Sequence, residues 1–202
     1  MPMALPALDI DALPPSVPPR SRERFARLRL VREPQGELVR IHDGRNLRLR
    51  DIEASDVEGI KRCFKRLSPE DIRRRFLHSM SELPEPMAIR LCRIDPAFER
   101  AFVLEDESVI PGEIRGVGRI YVDESANSAE FSVVVEQAWT RLGLGALLMQ
   151  HLVEECRKRG LHEIWGYVLL ENRPMLHLCR DLGFVQRLAP DEPGTAQISL
   201  VL

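Results

Sequence analysis

Apolar and polar positions along the chain follow two different periods, which predict strands and helices in turn. Residues 47–50 alternate apolar with polar side chains as a half-buried strand does, and residues 164–170 are too continuously apolar to face water. Counting these two, the runs that favour strands are 47–50, 101–104, 113–122, 128–135, 164–170 and 196–202. This mixture predicts an α/β (α+β) fold in which helices flank a mixed central sheet.

Helices are predicted between the strands from apolar spacing and from capping residues. The segment Ser68-Pro69-Glu70-Asp71 is typical of a helix start. Serine can accept an N-cap bond, proline suits the first helical position, and acidic side chains meet the positive end of the dipole. A longer helix is predicted from residue 143 to about 159, where one i, i+4 row is formed by Leu144, Leu148, Leu152 and Cys156. Apolar spacing predicts three more helices, at residues 60–67, 87–93 and 174–182.

The first part of the chain differs from the rest in composition. Residues 1–20 include prolines at positions 2, 6, 14, 15, 18 and 19, and such a stretch cannot build helices or sheet ladders. Residues 28–31 and 38–41 then flank Glu33-Pro34-Gln35-Gly36, which predicts a hairpin. We therefore divide the chain into a Pro-rich arm with a possible hairpin at residues 1–40 and a folded domain at residues 41–202.

Composition narrows the classes of protein that the chain can belong to. The 202 residues carry a net charge of −2 with 30% charged side chains, which favours neither nucleic acid nor a membrane surface as a partner. No apolar stretch is long enough to span a bilayer and no signal pattern is present, so we expect a cytoplasmic protein. The four cysteines and five histidines form no Cys-x-x-Cys or His-x-x-x-His pair, so we expect no metal site and no disulfide framework.

A glycine-containing segment connects the strand at 128–135 to the long helix, and it reads Arg141-Leu142-Gly143-Leu144-Gly145-Ala146. Glycines let backbone N–H groups approach a phosphate, and the positive helix end favours negative charge. A plain turn and cap is the alternative. The segment lacks the third glycine of the dinucleotide fingerprint and the Gly-Lys-Ser/Thr of a triphosphate loop, so neither NAD nor ATP is favoured.

Several further motifs accompany this loop in the same order along the chain. They are Leu67-Ser68-Pro69-Glu70, Arg75-Phe76, Gly116-Val117-Gly118-Arg119, Ala129-Glu130-Phe131, Glu171-Asn172-Arg173-Pro174-Met175-Leu176 and Leu182-Gly183-Phe184. Together with Gly-x-Gly before a helix, they resemble the GNAT acetyltransferase superfamily, and more narrowly the Pat-type protein lysine acetyltransferases. The resemblance covers residues 47–202 and implies the GNAT acetyltransferase fold.

The resemblance implies acetyl-CoA as the acyl donor. Its pyrophosphate would lie on the loop formed by Arg141, Leu142, Gly143, Leu144, Gly145 and Ala146, and Asn172 and Met175 would contact the same ligand. Asn172 could equally cap the helix that follows it. In GNAT folds the strand that matches Val133, Val134 and Val135 carries a bulge and splays from the next strand. Its unpaired backbone groups would bind the pantetheine arm and the acetyl oxygen, although an ordinary core strand would have the same sequence.

Transfer of an acetyl group to an amine needs a base, because a lysine with a pKa of about 10.4 is mostly protonated at neutral pH. Glu130 is the candidate, since desolvation within an apolar strand raises the pKa of a carboxylate and makes it a better base. The glutamate of the matching Ala-Glu-Phe segment is the base in Pat-type enzymes. A structural glutamate at the start of the strand is the alternative, and Glu136 would then be the next candidate base.

The sequence departs from the family pattern at two positions. Thr140 stands where glutamine or arginine is usual, and Arg141 is one residue away, where it could supply the phosphate charge or simply be solvated. Many GNAT enzymes have a tyrosine seven residues after the asparagine, and here that position is Cys179. Cys179 is therefore a candidate for protonating the leaving CoA thiolate, although a buried packing role is preferred.

Three functions remain compatible with these residues. The first is acetylation of lysine side chains on a protein partner, for which the Pat-type resemblance implies acyl-CoA synthetases. The second is acetylation of a small amine such as a polyamine, an aminoglycoside or an amino acid. The third is acyl-CoA binding without turnover, because the family's tyrosine and arginine are displaced. A protein acceptor would contact the segments 68–76 and 80–87, whose acidic residues could attract a lysine-rich surface.

Overall fold

The computed structural model describes residues 28–33, 36–189 and 194–202, with backbone only for 28–33. Its centre is a nine-stranded sheet with the order β1-β2-β3-β4-β5-β6-β7-β9-β8. The strands are β1 (Leu28–Glu33), β2 (Gly36–Ile41), β3 (Asn46–Asp51), β4 (Glu99–Glu105), β5 (Ile114–Asp123), β6 (Ser128–Val135), β7 (Glu163–Leu169), β8 (Val185–Leu188) and β9 (Thr195–Val201). Only β6 and β7 pair in parallel, so the sheet is mixed, as the sequence predicts.

Five helices cover the two faces of the sheet. They are α1 (Val57–Arg66), α2 (Pro69–Phe76), α3 (Glu85–Cys92), α4 (Leu144–Lys158) and α5 (Arg173–Asp181). The α2 start is the one that its sequence predicts, because the backbone N–H of Asp71 donates to Ser68 Oγ at 3.1 Å. The helix ends at Leu77, whose φ of 60° is left-handed.

The core is divided by the sheet into two layers. On one face, α1, α2 and α3 pack on β4 and β5 around residues such as Phe64, Ala101 and Val117. On the other face, α4 and α5 bury Leu152 and Leu178 against β5, β6, β7 and β9. Side chains alternate along a strand, so neighbouring residues of β6 reach opposite layers. Glu130 and Val134 therefore lie on the α2 side, whereas Phe131 and Val133 lie on the α4 side.

Most predicted elements are confirmed to within one or two residues at each end. The residues predicted as a hairpin pair as β1 and β2, with Glu33 opposite Gly36. The Pro-rich arm lies outside the described residues, and the division of the chain at residue 40 stays a prediction. The sequence analysis missed β8, a four-residue edge strand whose side chains are all exposed. Within the described residues, no helix is long and apolar enough to cross a membrane.

Candidate active site

The sheet opens between β6 and β7, which are the only two parallel neighbours among the described strands. β6 and β7 pair over three residue pairs, which end at Glu130 opposite Trp165, and beyond that point the two strands diverge. A Cβ on Gly166 would lie 3.0 Å from the carbonyl oxygen of Phe131 and 3.1 Å from its ring, so glycine permits the close contact where the opening begins. Past this point the backbone groups of β6 that face β7 have no strand partner. They are available to a ligand.

The expected splay of this strand is confirmed, but the expected bulge is wrong. β6 keeps one register with β5 over eight pairs, from Ser128 opposite Asp123 to Val135 opposite Gly116. The register shift on β5 lies on its other edge, at Leu104 and Glu105 of β4. Val133, Val134 and Val135 are thus exposed to a ligand by divergence of β7 alone, without distortion of their own strand.

The glycine loop brings a helix N-terminus to the same end of the sheet. Gly143 is the N-cap of α4 with φ 87°, a left-handed conformation that glycine adopts freely, and no side chain caps the helix. The first intrahelical bond runs from Leu147 N–H to Gly143 O. The N–H groups of Leu144, Gly145 and Ala146 therefore lack acceptors within the helix, and they form the positive end of its dipole. This arrangement suits an anionic group such as a pyrophosphate.

The two positions at which the sequence departs from the family pattern, 140 and 141, lie in this loop. Thr140 turns its hydroxyl inward and donates to the carbonyl of Gln137 at 2.8 Å. Arg141 is exposed, with φ 61°, and it has no ion pair with any residue that the structure describes. Leu142 is half-buried against the core beneath the loop. Arg141 is therefore the loop side chain that is available to a phosphate.

An open pocket lies where β6 and β7 separate, and Glu130 is the carboxylate that lines it. Its walls come from α2, β5, β6, β7 and the start of α5, through Arg74, Arg75, Leu77, Tyr121, Glu130, Phe131, Ser132, Val133, Tyr167, Val168, Asn172 and Met175. Burial raises the pKa of Glu130, and the nearby Arg75 guanidinium opposes part of that shift. A carboxylate with a raised pKa is a stronger base, as the sequence analysis expects for this residue.

Two of the predicted ligand-binding residues line this pocket from α5. Asn172 is the N-cap of the helix, since its Oδ1 accepts the N–H of Met175 at 3.3 Å. The cap interpretation is confirmed, and the same residue also lines the pocket, while its contact with the acyl donor stays a prediction. Met175 lies half-buried beside it and presents an apolar surface to the pocket.

Cys179 lies in the core rather than in the pocket. This position corrects the prediction that Cys179 protonates the leaving thiolate. The side chain is 1% exposed among the residues that α5 packs on the sheet. Burial also raises the pKa of the thiol to about 12, which makes it a weak acid toward a thiolate. The structure favours the packing role that the sequence analysis preferred.

The interpretation of Glu136 as a second candidate base is also corrected, because two arginines already bind its carboxylate. It is 4% exposed, and it accepts from Arg66 Nε at 2.7 Å and from Arg115 Nη1 at 3.2 Å. Arg115 also stacks over the buried ring of Trp139, which packs rather than lining the pocket. A carboxylate held by two guanidinium groups has its lone pairs occupied and is a poor proton acceptor.

Sequence reasoning missed several residues of the pocket wall. Arg74, Tyr121, Ser132 and Tyr167 reach the pocket from different elements, and no short motif connects them. Arg75 is part of the Arg75-Phe76 motif and of the segment 68–76, but neither indicates that its charge acts on Glu130. The signal in the sequence is the run Arg73-Arg74-Arg75, which lies in the predicted helix. The helical period could have shown the direction in which each of these arginines projects.

Comparison with known proteins agrees with this geometry. The sequence matches the Acetyltransferase (GNAT) family over residues 64–184. The chain is 32% identical to a curated acetyltransferase of Pseudomonas aeruginosa over 155 residues, which cover 75% of this chain and 82% of that protein.

Solved structures share the fold. The crystal structure of the GNAT domain of S. lividans PAT superposes with a TM-score of 0.72 at 23% identity, covering 82% of this chain and 96% of that one. The spermidine N-acetyltransferase of Vibrio cholerae, in complex with CoA and spermine, gives a TM-score of 0.61 at 20% identity and covers 77% and 95%. The fold class and the resemblance inferred from the motifs are confirmed, and the chain belongs to the GNAT family of acetyltransferases.

Proposed function

We propose that the protein transfers the acetyl group of acetyl-CoA to lysine side chains of a protein partner, with Glu130 as the general base. The observation that carries the proposal is the position of Glu130. It is a half-buried carboxylate in the pocket where β6 and β7 separate, next to backbone groups that lack a strand partner. Family membership supports the acetyl transfer, and the pocket supports the choice of base.

The part of the site that would bind the acyl donor, acetyl-CoA, consists mainly of main-chain groups. The pyrophosphate would bind the free N–H groups at the start of α4, with Arg141 beside them. The pantetheine arm would lie along residues 133–135, and Asn172 and Met175 would contact it from α5. Acetyl-CoA supplies a thioester, and the amine nitrogen attacks its carbonyl carbon to form a tetrahedral adduct. Collapse of the adduct breaks the C–S bond, and the CoA thiolate leaves and takes a proton from water.

Glu130 acts on the acceptor amine. A lysine ammonium must lose a proton before its nitrogen can attack, and a carboxylate whose pKa is raised by burial takes that proton more readily. Glu130 has no hydrogen bond or salt bridge to any residue that the structure describes, so its lone pairs are available. Glu136, in contrast, is held by two arginines. Of these two glutamates, only Glu130 has the freedom that a base requires.

The charge around the pocket supports a lysine of a protein over a polyamine. Arg74 and Arg75 line the same pocket as Glu130, and Arg73 lies beside them on α2. A polyamine or aminoglycoside carries several positive charges, and these would be repelled by Arg75, the α2 arginine that has no ion-pair partner among the described residues. The acidic residues expected to attract a basic surface are partly engaged, because Asp71 binds Arg74 at 3.2 Å and Glu85 binds Lys61 at 2.6 Å.

The test is the Glu130→Gln variant, which keeps the shape of the side chain and removes the base. We expect acetyl transfer to a lysine peptide to fall by roughly 10²-fold or more, with CoA affinity unchanged by calorimetry. Part of the rate should return at high pH, where free lysine is deprotonated. Full activity of the variant at neutral pH would move the base elsewhere.

A competition assay tests the acceptor. Wild-type enzyme is incubated with labelled acetyl-CoA, cell lysate and spermidine, and label is compared between protein and small amines. We expect label on protein lysines. Robust acetylation of spermidine or of an aminoglycoside without labelled protein would favour the small-amine enzyme. Binding of CoA without any transfer would favour an acyl-CoA-binding regulator.

A further inference from the structure

Arg75 differs from the other two arginines of α2 in having no partner. Arg73 pairs with Glu171 at 2.5 Å, and Arg74 pairs with Asp71 at 3.2 Å. The Arg75 guanidinium makes no hydrogen bond or ion pair with any residue in the described part of the chain. The guanidinium carbon lies 5.0 Å from the centre of the neighbouring Phe76 ring. An arginine in this position has five free donors.

The surroundings of Arg75 withdraw it partly from solvent. It lines the Glu130 pocket on one side and, on the other, an apolar pocket formed by α1, α2, α3 and the sheet. Desolvation lowers the pKa of Arg75 to about 10. A buried charge is normally paired, because removal from water costs free energy that only an opposite charge or hydrogen bonds offset. Arg75 itself is half-buried, and none of its nitrogens is fully removed from solvent. Its five donors therefore remain accessible to an anionic group that enters the pocket.

Glu130 does not fill this role. The two side chains line the same pocket and influence each other electrostatically, yet no hydrogen bond joins them. The pocket thus presents a separate negative group and a separate positive group. A ligand complementary to it carries an amine for Glu130 and a carboxylate for Arg75, and the planar fork of a guanidinium matches a carboxylate through two parallel bonds.

We propose that Arg75 binds a carboxylate of the acceptor, so that the enzyme prefers a lysine flanked by acidic residues. This inference rests on the proposed function, since it specifies the acceptor of the same site. The carboxylate is assigned to the acceptor because Arg75 projects from α2 on the side of Glu130. The acyl donor would instead follow β6 and the start of α4.

The experiment uses two peptides that differ only beside the acceptor lysine, one with Asp on both sides and one with Asn on both sides. The ratio of their kcat/KM values is measured for wild-type enzyme and for Arg75→Gln, Arg75→Lys and Arg73→Gln. The Arg73→Gln variant is the matched control, because it removes the same charge from an exposed position of the same helix. Calorimetry with CoA shows whether each variant retains its fold.

We expect wild-type enzyme to favour the Asp peptide by about 10-fold, as one charge-assisted hydrogen-bonded contact predicts. Arg75→Gln should bring the ratio close to one, Arg75→Lys should retain part of it, and Arg73→Gln should retain nearly all of it. Loss of Arg75 also raises the pKa of Glu130, but that change affects both peptides equally and cancels in the ratio. An unchanged ratio in Arg75→Gln overturns the proposal.

A second arm identifies the source of the carboxylate. With the Asn peptide, acetyl-CoA and succinyl-CoA are compared as donors in wild type and in Arg75→Gln. A succinyl-CoA preference that disappears in Arg75→Gln, with an unchanged peptide ratio, would place the carboxylate on the acyl group and overturn the acceptor assignment. Wild-type enzyme that acetylates spermidine but neither peptide would overturn the proposed function itself, which is a different outcome from an unchanged ratio.

Discussion

Replacing Glu136 by glutamine is expected to destabilise the protein while leaving its chemistry intact. Glu136 is one of three buried carboxylates that share two arginines at the end of β6. Arg66 also binds Glu113 at 2.7 Å, and Arg115 also binds Asp106 at 3.0 Å. Glutamine keeps an acceptor oxygen for Arg66 but removes the negative charge between the two guanidinium groups.

The size of the effect follows from this geometry. Removal of one partner from a buried ion pair typically costs 3–5 kcal/mol, and the remaining carboxylates and the exposure of Arg66, at 32%, reduce the expected loss here to roughly 2–3 kcal/mol. For a chain of this size, that corresponds to a fall in Tm of about 4–12 °C. The kcat should stay within about threefold of wild type, because Glu136 does not line the pocket.

The assay combines urea denaturation, followed by circular dichroism, with turnover of a lysine peptide at a temperature where both proteins are folded. Glu107→Gln is the matched control, since Glu107 pairs with Arg48 but is 48% exposed, and its loss should cost less than about 0.5 kcal/mol. The reasoning fails if Glu136→Gln keeps wild-type stability and loses roughly 10²-fold in kcat, because Glu136 would then be the base.

Three further predictions concern the loop, a helix contact and a histidine. Gly145→Glu should abolish CoA binding measured by calorimetry, because it places a negative side chain at the anion site, whereas Gly145→Ala should bind CoA, since its Cβ would meet neighbours only at ordinary contact distance. Gly59→Ala should lower the free energy of unfolding in urea by roughly 1–3 kcal/mol, although alanine has the better helix propensity. The reason is that the added Cβ would overlap the carbonyl oxygen of Gly112. A more stable variant would contradict this prediction. Desolvation lowers the pKa of His151, but its hydrogen bonds to Glu37 and to the Leu147 carbonyl, together with nearby negative charge, outweigh burial and raise the pKa overall. The stability that the His151–Glu37 pair contributes should therefore be complete below the unfolded pKa of about 6.5 and be lost as pH rises through the folded pKa. The same pH dependence of denaturation in wild type and in Glu37→Gln would contradict this prediction.

The strand and helix positions could be predicted because their signals are local. Ser68 before Pro69 marks the start of α2 by itself, and the apolar run of β7 is long enough to exclude a surface strand. β8 carries no such signal, since Val185 and Leu188 are exposed on an edge strand that is held by pairing with β9. An edge strand of four residues is defined by its neighbour more than by its own sequence.

The site could be predicted only in part for a similar reason. Glu130 and the glycine loop are visible as motifs, and their resemblance to GNAT enzymes supplies their roles. The ion pairs of Glu136 depend on Arg66, 70 positions away, and on Arg115, 21 positions away. The burial of Cys179 depends on the packing of α5. The free guanidinium of Arg75 is a property of three-dimensional neighbours, and sequence spacing does not show which arginine of the run lacks a partner.

In the function that we propose, the opening between β6 and β7 divides the site into a donor part and an acceptor part, which respond differently to mutation. The donor part offers main-chain groups of residues 133–135 and of the α4 start, so most side-chain substitutions there leave its hydrogen-bond donors in place. The acceptor part is built from side chains of α2 and β6, each of which can change alone. Recognition of new acceptors can therefore evolve through α2 while the acyl donor and its orientation stay constant.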